Sequence, residues 1–520
     1  VQSRSNVVVV GGGVGGLACA IDVALRGWPV TVLERAEQVG GKVRTERVGG
    51  LDVDVGPTVL TMPWVFDELF ERAGASFRDE VRLVRAEVLA RHAWRTPRAE
   101  PLVLDLFSDV ERTVDAIGGA FGAREAEGYR RFAAHTARIF DTVDEHFLRA
   151  ERPTMATIFR KVGAIGPVAL ARIDGHRTLW RALSDFFRDP RLLQLFGRYA
   201  TYSGSSPFEA PGTLAVIAHV ERLGVHVVEG GMIQLAHALR RLAERVGVTI
   251  RTGAHVARIL VDQGGARGVL LEDGELVEAR SVVLNGAVDA LARGLFGEAA
   301  RRGAPEPGAR SLSALTFAMK ARTSGLTPAH HTVFFGDSYP DEFSDLLAHE
   351  RLPRDPTVYL CASDRTTEGR SRLPPATPER LFLLVNAPPV GDRPDGLALA
   401  PEEVEACLQR TFDSLEQRGL SVERTSELVT TTPSDFERRF PATGGALYGQ
   451  SSHGMTSPLA RPGARSKIPG LYFAGGTVHP GAGVPMAATS GRLAASAVHE
   501  DLASTSRSRA GGMLGGMWTR

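Results

Sequence analysis

Gly11, Gly13 and Gly16 stand in the spacing G-x-G-x-x-G within "NVVVVGGGVGGLACA", directly behind a run of valines and ahead of an alanine-rich helical stretch. That order suits the binding of a diphosphate. Gly11 permits a tight turn, Gly13 lets main chain approach a pyrophosphate, and Gly16 lets helix and strand pack closely, with the anion at the helix N-terminus beside Val14 and Gly15. Glu34, at the end of the next apolar strand "PVTVLER", is placed to accept hydrogen bonds from ribose hydroxyls and to disfavour a 2′-phosphate. A glycine turn alone is a weak signal, but strand, glycines, helix and acid in that order predict a dinucleotide site.

Further segments narrow the cofactor. In "ERAEQVGGKVRT" the pair Gly40-Gly41 precedes Lys42, Arg44 and Thr45, and "LDVDVGPTVL" follows with Gly56, Pro57, Thr58 and Val59. Glycines there let main chain lie against a cofactor while Lys42 and Arg44 offset phosphate charge; a solvated basic loop is the plainer alternative for either cation. Near the other end, "GLYFAGGTVHPGAGVPMAATSGRLAASAV" runs as strand, glycine turn Gly475-Gly476 and alanine-rich helix, with His479 between. These segments resemble the flavin-dependent amine oxidase and carotenoid desaturase superfamily. The resemblance implies FAD, with the Gly40-Gly41 segment around the pyrophosphate and ribityl chain and the C-terminal turn closing the same site. It sets Val484, Pro485 and Met486 at a helix N-terminus near the pyrimidine end of the ring, where the helix dipole favours the anionic reduced flavin. Arg35 and Val256 complete the implied cofactor contacts. Gly476 departs from the commoner pattern, in which an aspartate at this place contacts the ribityl chain.

"DVGPTVLTMP", "HPGAGVP" and the middle stretch "GRYATYSGSSPFEAPGTLAVIAHVERLGVHVVEGGMIQLAHAL" resemble the bacterial carotenoid desaturases, so the likeness covers nearly the whole chain except its tail. Within that family, "RYATY", "EGGM" and "GVPMAATSGR" are more similar to the 1-hydroxycarotenoid 3,4-desaturases than to the phytoene desaturases. The resemblance implies removal of two hydrogens across a carbon–carbon single bond of an acyclic 1-hydroxy or 1-methoxy carotenoid, one as hydride to the flavin, with oxygen or a quinone as final acceptor. The protein's share is to orient a long apolar chain and exclude water. His219, Glu221 and His479 are candidate proton acceptors. Arg177 in "GHRTLWRAL" is a candidate to polarise a tertiary hydroxyl or the flavin. A phytoene desaturase, a flavin amine oxidase and a non-catalytic flavin- or carotenoid-binding protein stay open; an amine oxidase would need an aromatic cage, and the chain has only 7 tyrosines. Carotenoids dissolve in membranes, and "MATIFRKVGAIGPVALARIDG" mixes apolar side chains with Arg160, Lys161 and Arg172 in a composition suited to an interface; a buried lid is the alternative.

Positioning these residues takes alternating strands and helices. Strand Asn6 to Val10, a helix from about Gly15 to Arg26 and a second strand make a βαβ unit, and four successive valines suggest a strand covered on both faces. From about Met62 to Tyr199 the period turns helical with charged faces; helix and short strands then resume, with a hairpin at Asp273-Gly274. The expected fold is α/β: a Rossmann-like FAD-binding domain of the glutathione-reductase and amine-oxidase type, interleaved with a substrate domain of mixed sheet and a helical lid. Its expected parts are a discontinuous FAD domain over 1–61, 225–300 and 445–502, a largely helical substrate and membrane region over 62–224, and a sheet and helix over 301–444. A disordered tail is expected over 503–520.

Bulk composition fits a chain of this kind. The 520 residues exceed what one core supports, and 43% hydrophobic and 23% charged residues with a formal net charge of +1 point to no nucleic-acid partner. Cys19, Cys361 and Cys407 lie far apart without a CxxC pair, which suits a reducing cytoplasm and predicts neither a disulfide framework nor a metal. Neither a secretory leader nor a long uncharged apolar run is evident, so the expected location is cytoplasmic with peripheral attachment to the inner membrane.

Overall fold

The computed structural model describes residues 3–97, 100–144, 173–394, 399–454 and 457–514. Its first strand, Ser3–Val10, ends in valines that are buried, so it lies inside a sheet with neighbours on both edges. It pairs in parallel with Val30–Leu33 on one side and with Leu276–Leu284 on the other. Thr249–Arg251 extends the parallel set beyond Val30–Leu33, and Leu471–Phe473 pairs with the last residues of Leu276–Leu284. Gly265–Leu271 and Val256–Asp262 add antiparallel strands, completing a seven-stranded sheet.

Register decides where ligands go. Val10 sits opposite both Leu33 and Leu284, and Leu284 sits opposite Phe473. The carboxyl ends of four parallel strands are thus level, and Gly11, Glu34, Asn285 and Ala474 leave them along one edge. In parallel sheets that edge is where ligands bind.

The first helix, Val14–Leu25, is buried along most of its length because the sheet covers one side and the closing helix, Val484–Leu514, crosses the other. Its one buried acid, Asp22, is paired with Arg72 at 2.6 Å. Cys19, on this helix, and the other two cysteines are buried and free.

An eight-stranded sheet forms the second layer, in the order Leu420–Arg424, Ser313–Gly325, Glu379–Ala387, Val358–Ala362, His331–Phe334, Val88–Trp94 and Leu102–Phe107, with Val429–Thr431 also on Ser313–Gly325. Helix Pro401–Gln417 covers its core of Leu315, Phe317, Leu383 and Val385. The strands Val88–Trp94 and Leu102–Phe107 fall inside the stretch expected to be helical. In "VLARHAW" nearly every side chain is buried, on both faces, so the alternation that announces a strand is absent. Helices Val110–Phe121, Ala123–Val143, Pro190–Gly197 and Val216–Leu223 make up the helical layer. Of the segment from Met155 to Gly175, read as a candidate interface, residues 155–172 lie outside the described residues. A structureless tail was expected from 503, whereas the closing helix runs on to Leu514, since no proline interrupts "ASTSRSRAGGML". Among the described residues no helix is long and apolar enough to cross a membrane.

Candidate functional site

The two glycine clusters meet main chain to main chain. A Cβ on Gly491 of the closing helix would stand 2.1 Å from the Gly15 carbonyl oxygen, and one on Gly15 would stand 2.8 Å from the Ala487 oxygen and 2.9 Å from Gly475 Cα. Only glycine permits that approach. Between the turns sits Asn285, at the end of Leu276–Leu284, whose amide donates to Gly11 O at 3.0 Å. Its side chain occupies the space that a Cβ on Gly13, Gly16 or Gly475 would need. Asn285 escaped the sequence reading, since an asparagine after a strand reads as an ordinary turn former.

The Gly40-Gly41 segment joins the same construction. Gly40 N donates to Gly12 O at 2.9 Å, and a Cβ on Gly56 would stand 1.9 Å from the Lys42 carbonyl oxygen, so 40–45 and 54–58 lie against each other. Glu34 is buried and accepts from Gly12 N at 2.7 Å and from Ala36 N at 2.8 Å. Each carboxylate oxygen keeps a further lone pair for a ribose hydroxyl. Val256 is packed in one cluster with Val10 and Leu33. Pro485 is buried and Val484 and Met486 are half-buried at the start of the closing helix. Arg35 is the exception among the proposed contacts: it is exposed and donates to the carbonyls of Arg438 and Arg439.

Three cations converge without acids to match. Lys42 donates to Leu447 O and lies over the Phe440 ring; Arg461 is buried and donates to the carbonyls of Tyr448 at 3.0 Å, Gly476 at 3.1 Å and Gln450 at 2.8 Å. Among the described residues neither has a carboxylate partner. Burial lowers Arg461 to about 10, and burial together with the Arg461 charge lowers Lys42 to about 8. Arg44 is also lowered by burial and by Arg439; of the two acids that act against this, Glu46 is 3.6 Å away and shared with Arg439, and Glu34 acts from farther off. Buried positive charge left unpaired is costly unless an anion fills the site. A diphosphate, or the anionic end of a reduced ring, fits such a donor set. Beside it, a Cβ on Gly476 would meet nothing within 4 Å, so the position points into open space.

On the far side of Tyr448 lies a second polar cluster. Tyr448 presses against Gly204, where a Cβ would stand 2.6 Å from the ring, and Gly204 ends the short helix Arg198–Ser203. Glu221 is buried and accepts the hydroxyls of Tyr199, at 2.7 Å, and Tyr202. Thr58 Oγ1 lies 2.6 Å from the Tyr359 hydroxyl, which in turn meets His331 Nδ1 at 2.7 Å. Burial raises Tyr199, Tyr202, Tyr359 and Tyr448, with Glu221 adding to the first two, and burial drives His331 well below the usual histidine range. The tyrosines are therefore neutral donors and His331 a neutral imidazole. Arg198, Tyr202, Tyr359, Tyr448 and Lys42 are only half-buried although they pack among buried side chains, so the surface they keep lines a cleft. The cleft thus runs from the glycine turns and cations, past Tyr448 and Thr58, to Arg198 and Glu221.

The four residues singled out for chemistry part company here. Glu221 belongs to the cleft. His219, two positions earlier on helix Val216–Leu223, faces away: its Nδ1 takes a hydrogen bond from Arg222 at 2.8 Å and its ring packs on Phe140 at 5.0 Å. Residues two apart on a helix do not share a face. Arg177 is held by Asp174 at 2.8 Å and Asp185 at 2.5 Å, outside the tyrosine cluster. His479 is buried in the glycine turn, its main-chain N–H donating to Pro462 O at 2.9 Å. His330, His331 and Cys361 bring donor atoms within 4.8 Å of one another in the second sheet, where the sequence suggested no such cluster; His330 Nδ1 there meets Arg365 O at 3.0 Å.

The chain is similar to known proteins along nearly its whole length. Residues 14–499 match the family model described as flavin containing amine oxidoreductase. The chain is 48% identical over 522 residues to a hydroxyneurosporene desaturase of Rubrivivax gelatinosus, covering 99% of this chain and 97% of that one. It is 46% identical to a hydroxyneurosporene desaturase of Cereibacter sphaeroides, covering 97% of this chain and 100% of the other. Among solved structures, an oxidoreductase from Methanosarcina mazei superposes with a TM-score of 0.60 at 16% identity over 96% of this chain and 100% of its own. Cyclohexylamine oxidase from Brevibacterium oxydans superposes with a TM-score of 0.55 at 16% identity over 96% and 99%. These last two speak for the fold alone.

Proposed function

The chain belongs to the flavin containing amine oxidoreductase family, and from that premise we propose that it is an FAD-dependent carotenoid desaturase that introduces the C3–C4 double bond into acyclic 1-hydroxy or 1-methoxy carotenoids. The observation that carries this reading is the near full-length identity to relatives named hydroxyneurosporene desaturase.

FAD would be held by the Gly11–Gly16 turn at its diphosphate, by Glu34 at the ribose, by Lys42, Arg44 and Arg461 at its negative charge, and by Thr58 and the Gly475–Met486 turn at the ring. When bound, the flavin supplies the two-electron acceptor for desaturation. The chain's own residues do the rest. Apolar walls at Val59 and the partly buried Ile217 and Leu214 align the polyene and keep water out. Glu221, its oxygens facing the Tyr199 and Tyr202 hydroxyls, is the group we assign to receive the proton, with Tyr202 as the hydroxyl through which it passes. The enzyme would reach its substrate from the cytoplasmic face of the inner membrane, with oxygen or a quinone taking the electrons.

Incubating the purified, flavin-loaded enzyme with acyclic carotenoids, with and without a 1-hydroxyl, tests the assignment through the red shift that each added double bond brings. Appearance of lycopene from phytoene, with the hydroxylated chain untouched, would support the phytoene-desaturase alternative instead. Peroxide release on adding an amine would restore the oxidase.

Lys42 gives this reading a pH signature. With the flavin absent its value is about 8, and a bound anion raises it. Affinity for FAD is therefore full below pH 8 and falls as pH rises toward the ordinary lysine range, by up to about tenfold per unit. The flavin-free chain behaves oppositely: its lysine is lower than in the unfolded state, so the penalty of burying charge disappears and stability rises over the same window. Lys42→Arg stays charged and flattens the affinity profile. Fluorescence titrations with FAD across this range measure both proteins, and equal slopes would remove Lys42 from the cofactor site.

A further inference from the structure

Arg198 is the cation bonded to the tyrosine cluster itself, and it is under-used by the protein. Among the described residues its guanidinium makes one side-chain hydrogen bond, to the Tyr202 hydroxyl at 3.3 Å, and lies over the same ring at 5.3 Å. No carboxylate is in direct contact with it: Glu221, the nearby acid, faces the hydroxyls of Tyr199 and Tyr202 instead. Burial works against its charge and the Glu221 carboxylate favours it, and a guanidinium keeps its proton throughout the accessible pH range. A guanidinium has five N–H donors in a planar fork, and those left over here face the cleft.

We propose that Arg198 is the anchor for the oxygen on C1 of the carotenoid, donating to a 1-hydroxyl or 1-methoxyl and so setting which carbon–carbon bond lies at the flavin. This rests on the desaturase reading above and deepens it. Two features support it. First, the hydroxyl protons of Tyr199 and Tyr202 go to Glu221, so the donors to spare in the cluster are those of Arg198; an oxygen with lone pairs is therefore what it binds, and hydroxyl and ether serve alike, whereas a hydrocarbon end leaves those donors unpaired. Second, the C1 oxygen is only a few bonds from C3, so its anchor must lie beside the ring and not at the distant end of a tunnel. Arg198 meets that demand. It acts electrostatically on Tyr359, which bonds Thr58 of the cofactor segment, and on Tyr448, whose main chain carries one of the Arg461 contacts.

The test uses full-length flavin-loaded enzyme with three acyclic carotenoids of equal chromophore whose C1 carries hydrogen, hydroxyl or methoxyl. Wild type is expected to show kcat/KM at least about tenfold higher for the two oxygenated chains than for the hydrocarbon, the worth of one hydrogen bond from a charged donor. Arg198→Leu is expected to level the three. Arg198→Lys keeps a cation, guards against misfolding of the first variant, and is expected to restore part of the preference without the full fork. An undiminished preference in both variants, or a loss equal on all three substrates, overturns the anchor. A wild type that prefers the hydrocarbon chain overturns the hydroxycarotenoid assignment itself, independently of Arg198.

Discussion

Gly491→Ala is expected to yield protein that purifies nearly without flavin. The added Cβ would lie 2.1 Å from the Gly15 oxygen, 3.0 Å from the Gly15 carbonyl carbon and 2.9 Å from Cys19 N. All three are main-chain atoms of the first helix, so no side chain can swing aside; the two helices must separate. Separation displaces Gly15 and with it the turn whose amides face the diphosphate, and the strain alone costs about 1–3 kcal/mol or more. Gly476→Ala is the contrast. Its Cβ would meet nothing within 4 Å, and this variant should keep its flavin. Flavin absorbance per chain, with melting temperatures in the presence and absence of added FAD, reads both outcomes. A fully loaded Gly491→Ala enzyme with the melting point of wild type would mean that the helix crossing does not hold the cofactor turn.

That contact also shows how far a sequence can be read. The first glycine cluster was legible because its residues are local: a strand, a turn, a helix and an acid follow one another within one supersecondary unit. The second was legible through family resemblance, which joins the two clusters by way of one cofactor. Direct packing of Gly15 on Gly491 and the placement of Asn285 between them depend on the parallel register of Ser3–Val10, Leu276–Leu284 and Leu471–Phe473, which no local window contains. The strand Val88–Trp94 was missed for the opposite reason, since burial on both faces erases the period that marks a strand.

The same distinction explains the polar cluster. Tyr199, Tyr202 and Arg198 are neighbours in "RYATY", yet their meaning comes from Glu221 on another helix and Tyr359 on the second sheet. A low tyrosine count suggested that no aromatic cage exists. In the fold, however, five of the tyrosines, Tyr199, Tyr202, Tyr339, Tyr359 and Tyr448, come within electrostatic reach of one arginine. Composition counts residues but does not place them. Likewise His219 and Glu221 looked equivalent from "AHVERL", and the helix separates them: one turns to Phe140 and Arg222, the other to the cleft.

From that separation follows the largest effect on chemistry. Glu221→Gln keeps size and shape but cannot hold a proton as a carboxylate does, and it gives Tyr199 and Tyr202 an amide to face. Loss of a positioned proton acceptor is expected to slow the chemical step by about 10²–10⁴-fold, with flavin content unchanged because the cofactor contacts lie across Tyr448. Glu221→Asp, which retains the charge with a shorter reach, should recover part of the rate, as a purely structural polar contact would not require. His219→Ala should leave the rate within about twofold, as expected for a side chain outside the cleft. Anaerobic stopped-flow reduction of the bound flavin by a 1-hydroxycarotenoid isolates this step from reoxidation and product release. If Glu221→Gln reduces its flavin at the rate of wild type while His219→Ala does not, the proton leaves by the outer face of the helix, and the cleft serves only to bind.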